Sequence, residues 1–144
     1  KFDKVEPIGA GSQVRIVDYK TGEPDKHIKS LQQSTDLFSE KTDDYLRQLV
    51  AYKMLYESGY KRRSVTSGQL VFLDPVKKTV KKYGLQEGLF TNADIPLSAD
   101  MVSSFEKLVM ETWKKIRSLD FHRLESYDKK KCDTCSYKNV CWKN

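Results

Sequence analysis

Val14-Arg15-Ile16-Val17-Asp18-Tyr19-Lys20-Thr21-Gly22 decides how this chain is read. Its β-branched residues predict a buried strand that ends in a carboxylate and an ammonium. Side chains on a strand alternate faces, so Asp18 and Lys20 share the face of Val14 and Ile16. An acid and a base at the end of an apolar strand are costly to bury unless they are paired or put to use. Thr21-Gly22 breaks the strand and leaves that end open to a ligand.

Two segments fit around this strand. Upstream, Lys1-Phe2-Asp3-Lys4-Val5-Glu6 alternates as a strand, and Pro7 to Gly11 is turn chemistry. The pair predicts a hairpin over residues 1–20 that brings Asp3 close to Asp18. Downstream, Tyr45 to Tyr52 is helical, with Gln48 and Tyr52 on one face at i, i+4. Read without other information, Tyr52 is a core aromatic and Gln48 its polar edge.

This set resembles the PD-(D/E)XK nuclease superfamily, in particular its RecB-like branch. The likeness rests on Asp3, then Asp18-Tyr19-Lys20, then Gln48 with Tyr52. Ile16 to Gly22 is close to the form that branch uses, and Lys1 to Glu6 is similar to its preceding strand. Within the branch, the nearest likeness is the nuclease domain at the C-terminus of UvrD/Rep-type DNA helicases. The resemblance implies an α/β, restriction-endonuclease-like core: a central mixed sheet of about four strands flanked by helices. It also implies phosphodiester hydrolysis with Mg²⁺ or Mn²⁺. Asp3, Asp18 and the Tyr19 backbone carbonyl would hold the ion, and Lys20 would position the attacking water. Gln48 and Tyr52 would order Lys20 or contact the DNA backbone. The expected substrate is single-stranded DNA ends, delivered by helicase domains of the same parent protein in repair or recombination. The alternative is a non-catalytic module of nuclease fold that guides a DNA strand.

The rest of the chain is consistent with one domain over residues 1–144. It begins inside a strand and is read as a piece of a longer protein, truncated at the N-terminus. No apolar run approaches the roughly 18 residues of a membrane span, and no signal-peptide pattern is present, which places it in the cytoplasm. The net charge of +6 favours an anionic partner without naming one.

Residues 21–42 are a long polar connection, with a short helix expected near Asp25 to Gln33. Thr42 is expected to cap the next helix and Gly59 to stop it. Tyr45, Leu49, Tyr52 and Tyr56 form one stripe of that helix; Leu46, Val50 and Met54 form a second. Lys61-Arg62-Arg63 reads as a solvated turn. Strands are expected over Ser64 to Asp74 and Lys77 to Leu85, and a loop over Thr91 to Pro96. Ser98 opens the last long helix, whose stripe runs Met101, Val102, Phe105, Leu108, Val109, Trp113, Ile116 and Leu119 and reads as core.

All three cysteines lie in the tail over residues 129–144, as Cys132, Cys135 and Cys141, spaced C-x2-C-x5-C. In a cytoplasmic protein such a group reads as metal ligands rather than disulfides. Zinc and iron–sulfur sites usually take four ligands, and His122 is the nearby candidate for a fourth. The resemblance offers another answer. RecB-family nucleases of the AddB type carry three cysteines in this spacing and one ahead of the nuclease core, together holding a [4Fe–4S] cluster. That first cysteine would precede Lys1.

Overall fold

In the computed structural model, residues 2–31, 34–74, 91–120 and 123–142 are described. The chain divides into two compact units, Lys1–Val109 and Met110–Asn144.

The first unit is built on a four-stranded sheet in the order β1-β2-β3-β4. The strands are β1 (Lys4–Pro7), β2 (Gln13–Lys20), β3 (Ser64–Phe72) and β4 (Thr91–Pro96). β1 pairs antiparallel with β2, and β4 with β3, while β2 and β3 run parallel. The sheet is therefore mixed, and the chain has the expected α/β class. The hairpin turns tightly: Ile8 N donates to Gln13 O at 2.9 Å, and Gly9 takes φ +64. Among the described residues, Pro7 and Pro96 sit on the outermost strands of the sheet, where proline is tolerated.

Parallel neighbours need a crossover, and here it holds α1 (Pro24–Leu31) and α2 (Asp44–Gly59). Alternation sorts the sheet into two faces. Val5, Val14, Ile16, Val65, Leu70, Phe72, Ala93 and Ile95 belong to one hydrophobic cluster with Leu46, Leu49 and Val50 of α2. Completely burying an aliphatic side chain of this size contributes about 1.5–3 kcal/mol. Gly68 is where the helix comes closest to the sheet. A Cβ there would stand 2.8 Å from Leu49 Cδ1, so this strand position needs a residue without a side chain. The opposite face holds buried Val17 and a polar group: Arg15 pairs with Glu6 at 3.2 Å and with Asp94 at 3.1 Å, and Gln69 Nε2 donates to Asp94 at 3.0 Å.

Several expectations change. Thr91 to Pro96 is a strand, not a loop; its backbone completes the β3 ladder from Phe72↔Thr91 to Ser67↔Pro96. The expected strand over Lys77 to Leu85 lies outside the described residues. Asp43, not Thr42, caps α2: its side chain accepts from Tyr45 N, while Thr42 Oγ1 turns back to Asp36 O at 2.5 Å. The α2 core stripe is Leu46, Leu49, Val50, Lys53 and Tyr56. The helix does stop at Gly59, and α1 overlaps the short helix expected near Asp25 to Gln33. The long connection is anchored by Arg47, which donates to the carbonyls of Leu37 at 3.0 Å, Thr42 at 3.0 Å and Ser39 at 2.6 Å.

α3 (Ala99–Arg117) opens at Ser98 as expected, with Met101 N donating to Ser98 Oγ at 3.2 Å. Its stripe is core only in part. Met101, Val102, Phe105 and Leu108 pack on the cluster, whereas Val109, Trp113, Ile116 and Leu119 are exposed.

The second unit includes α4 (Lys129–Cys132) and α5 (Lys138–Cys141). Asp128 caps α4 by accepting from Lys130 N and Lys131 N. Trp142 receives the Tyr127 ring edge-on at 5.5 Å and the Arg123 guanidinium at 4.7 Å. Among the described residues, no helix is long and apolar enough to cross a membrane.

Candidate active site at the end of the second strand

β2 alternates as expected, and Asp18 and Lys20 share the core face at the strand's C-terminal end. Asp18 is 4% exposed. Lys20 Nζ lies 2.5 Å from Asp18 Oδ2. It also donates to Gln48 Oε1 at 2.6 Å, and Gln48 Nε2 donates to Tyr52 Oη at 2.7 Å. An ammonium has only donors, so this chain of contacts fixes which way the Gln48 amide faces. The i, i+4 spacing on α2 places Gln48 and Tyr52 together, and the parallel crossover brings that face of α2 to the end of β2. The Tyr45 ring lies under the same ammonium, 4.1 Å from Nζ.

Asp3 arrives from the other arm of the hairpin. Its Oδ2 accepts from Tyr19 N at 3.0 Å, beside Asp18. Phe2 holds the approach by packing edge-on against Tyr52 at 5.3 Å and Tyr56 at 5.8 Å. The structure thus brings Asp3, Asp18, Tyr19, Lys20, Gln48 and Tyr52 to one end of the sheet.

The donor set suits a hard divalent cation. Mg²⁺ takes one or two carboxylates and keeps several waters, which two aspartates and a backbone carbonyl match in type. Asp18 Oδ2 is buried and makes no hydrogen bond of acceptable geometry; its contact with Lys20 is an ion pair alone. A buried carboxylate oxygen with spare acceptor capacity is what a cation would use. Among the described residues, no three His, Cys, Asp or Glu side chains converge as a metal-ligand group.

The cysteines lie in the second unit. Cys132, Cys135 and Cys141 line one cavity of about 180 Å³ with Arg123, Lys131, Lys138 and Trp142. All three are free thiols. They share a cavity without converging on a point, and His122 lies outside the described residues. Close by, the Asp133 carboxyl is held below its ordinary range by the Lys138 ammonium and the Tyr127 hydroxyl.

Sequence reasoning missed two groups. Lys53 is 4% exposed and donates to Glu57 at 2.7 Å and to Val65 O at 2.6 Å, tying α2 to the start of β3. Its place in the run Leu46, Leu49, Val50, Lys53, Tyr56 was the available signal. The other is His27 of α1, whose Nδ1 lies 2.9 Å from Asp43 Oδ2. Nothing in local spacing joins residues 27 and 43.

Comparison with curated proteins finds no match. The family model of the PD-(D/E)XK nuclease superfamily matches residues 1–142. The mixed four-stranded sheet flanked by helices agrees with the restriction-endonuclease-like fold of that group. On that match, which covers nearly the whole chain, this protein belongs to the PD-(D/E)XK nuclease superfamily.

Proposed function

We propose that this chain is a metal-dependent deoxyribonuclease domain. The observation that supports it most is the Lys20 ammonium, held at once by Asp18, Gln48 and the Tyr45 ring, with Asp3 at the neighbouring amide. In this reading Asp3, Asp18 and the Tyr19 carbonyl hold Mg²⁺ or Mn²⁺. Bound there, the ion would activate a water and stabilise the leaving oxyanion. Lys20 donates to the attacking water or to a phosphate oxygen and offsets the charge that builds there. Gln48 orients Lys20 by accepting one of its protons, and Tyr52 orients Gln48.

The same reading takes the RecB-like branch as the closest setting. The parent protein would then carry UvrD/Rep-type helicase domains that feed single-stranded ends to this site during repair or recombination. Contacts would fall on the backbone rather than the bases. Cys132, Cys135 and Cys141 fit a soft metal in donor type, and all three line one cavity. They would contribute three ligands of a [4Fe–4S] cluster, with the fourth supplied from elsewhere in the parent protein.

Cleavage of single-stranded DNA that requires Mg²⁺ or Mn²⁺ and is lost in Asp18→Ala tests the nuclease reading. Iron and sulfide analysis of anaerobically purified parent protein, against Cys135→Ser, tests the cluster.

A further inference from the structure

His27 stands beside the candidate site but has no place in the Asp18–Lys20–Gln48–Tyr52 chain. Its Nδ1 faces Asp43 Oδ2 at 2.9 Å, and Asp43 Oδ1 is occupied in accepting from Tyr45 N at 3.0 Å. An ionised carboxylate only accepts, so the imidazole proton sits on Nδ1. Two aromatic rings lie by the imidazole: Tyr45 at 4.3 Å and 34°, and Phe72 at 6.3 Å and 18°. The side chain still keeps 27% of its surface open. Nδ1 is engaged with Asp43, which leaves the Nε2 edge as the ring's other polar side. Among the described residues, no protein group bonds to Nε2.

The position of this edge matters. Phe72 is the register partner of Lys20 at the end of the sheet. The Tyr45 ring that covers His27 also receives the Lys20 ammonium at 4.1 Å. Among the described residues, the charged and titratable groups placed by His27 and its packing partners are Asp43, which meets Nδ1, Tyr45, whose ring packs on it, and Lys20, which meets that same Tyr45 ring. Phe72 of β3 brings none. Two groups able to carry positive charge flank one aromatic ring. A ligand with repeated phosphates can engage both at once.

We propose that His27 Nε2 binds a backbone phosphate of the nucleic-acid strand lying at the Asp18–Lys20 site, with Asp43 as the group that orients it. This rests on the nuclease reading above. A carboxylate behind the ring and a phosphate in front make a charge-assisted hydrogen bond when the imidazole is protonated.

The chain has two histidines, so its imidazole resonances can be assigned with a single His122→Gln comparison. The test follows the His27 titration by NMR in the full chain, with and without a phosphorothioate oligothymidine that resists cutting. The oligonucleotide should shift the His27 signals and raise their titration midpoint. Independently, His27→Gln should weaken oligonucleotide binding near pH 6 several-fold and reduce the slope of log K against log salt by about 0.7, the loss of one single-strand phosphate contact. His27→Arg should restore the slope. An oligonucleotide that binds while leaving the His27 midpoint and the slope unchanged overturns the proposal, and His27–Asp43 is then only a clasp between α1 and α2. If cleavage still depends on Asp18 in that case, the nuclease reading stands. A chain that neither binds nor cuts DNA overturns both. The wild-type titration decides even if His27→Gln fails to fold.

Discussion

Lys20 is the residue on which the site turns, because Asp18, Gln48 and the Tyr45 ring all meet one ammonium. Replacing it with Met removes the cation paired with buried Asp18. Breaking a buried pair by removing one partner costs about 3–5 kcal/mol. Lys20→Met should therefore lower the unfolding midpoint in EDTA, and Mg²⁺ or Mn²⁺ should recover part of that loss through Asp18. Recovery would be absent if Asp18 holds no cation. Gln48→Ala keeps the ion pair but releases the orientation of Lys20. Activity should fall on the order of 10- to 100-fold with little change in stability, the size of effect that supporting contacts around a metal site show. Activity and thermal unfolding measured together separate the two cases. This centre was legible in the sequence because its members sit on short regular spacings. Asp18 and Lys20 share a strand face, and Gln48 and Tyr52 share a helix face. His27 with Asp43 was not legible, since the crossover alone brings them together.

At the level of elements, α2 is held to the sheet by two devices that pattern reading does not weigh. The first is the missing side chain at Gly68. Gly68→Ala would drive a methyl group into Leu49, which is fully buried. Overpacking of this kind costs about 1–3 kcal/mol. Denaturant unfolding should show that loss, and Leu49→Val in the same chain should relieve it. The second is the Lys53–Glu57 pair at the start of β3. Burial acts to raise the Glu57 pKa. The hydrogen bonds from Lys53 and Val65 N act against it and leave it below the ordinary 4.5. Glu57 therefore stabilises the fold fully above its unfolded value. That contribution disappears as pH falls through the lower folded value. Stability profiles between about pH 5 and pH 3 should be flatter in Glu57→Gln than in the wild type. The other elements divide by how much local pattern they carry. β2 and β3 are rich in β-branched and apolar residues. β4 offers only Ala93 and Ile95 on its core face, among Asn92, Asp94 and a proline, so its strand character comes from pairing with β3. The α3 stripe keeps its helical period through Leu119, but period records amphipathicity and not burial. Its second half is exposed accordingly.

For the molecule as a whole, charge and family membership point to the same class of partner. The net charge is +6, and residues 110–144 hold nine lysines and arginines against five aspartates and glutamates. Affinity for single-stranded DNA should therefore fall steeply with salt, with a linear log–log slope that reports the number of phosphates engaged. Replacing Lys129, Lys130 and Lys131 with Gln should lower that slope if this basic run touches the backbone, and leave cutting at saturating DNA unchanged. The four-stranded sheet was readable from the resemblance, and its polar face was not. That face depends on Arg15, Glu6, Gln69 and Asp94 from four different strands. The central claim is that the end of β2 cuts DNA with a bound cation. Its most direct test is cleavage of labelled single-stranded DNA in Mg²⁺ or Mn²⁺ by this chain and, in parallel, by the parent protein, each against Asp18→Ala and Lys20→Ala. The account predicts cutting that needs the metal and vanishes in both variants while the fold is retained. DNA that is bound by the wild-type parent protein but left intact in either metal would contradict it.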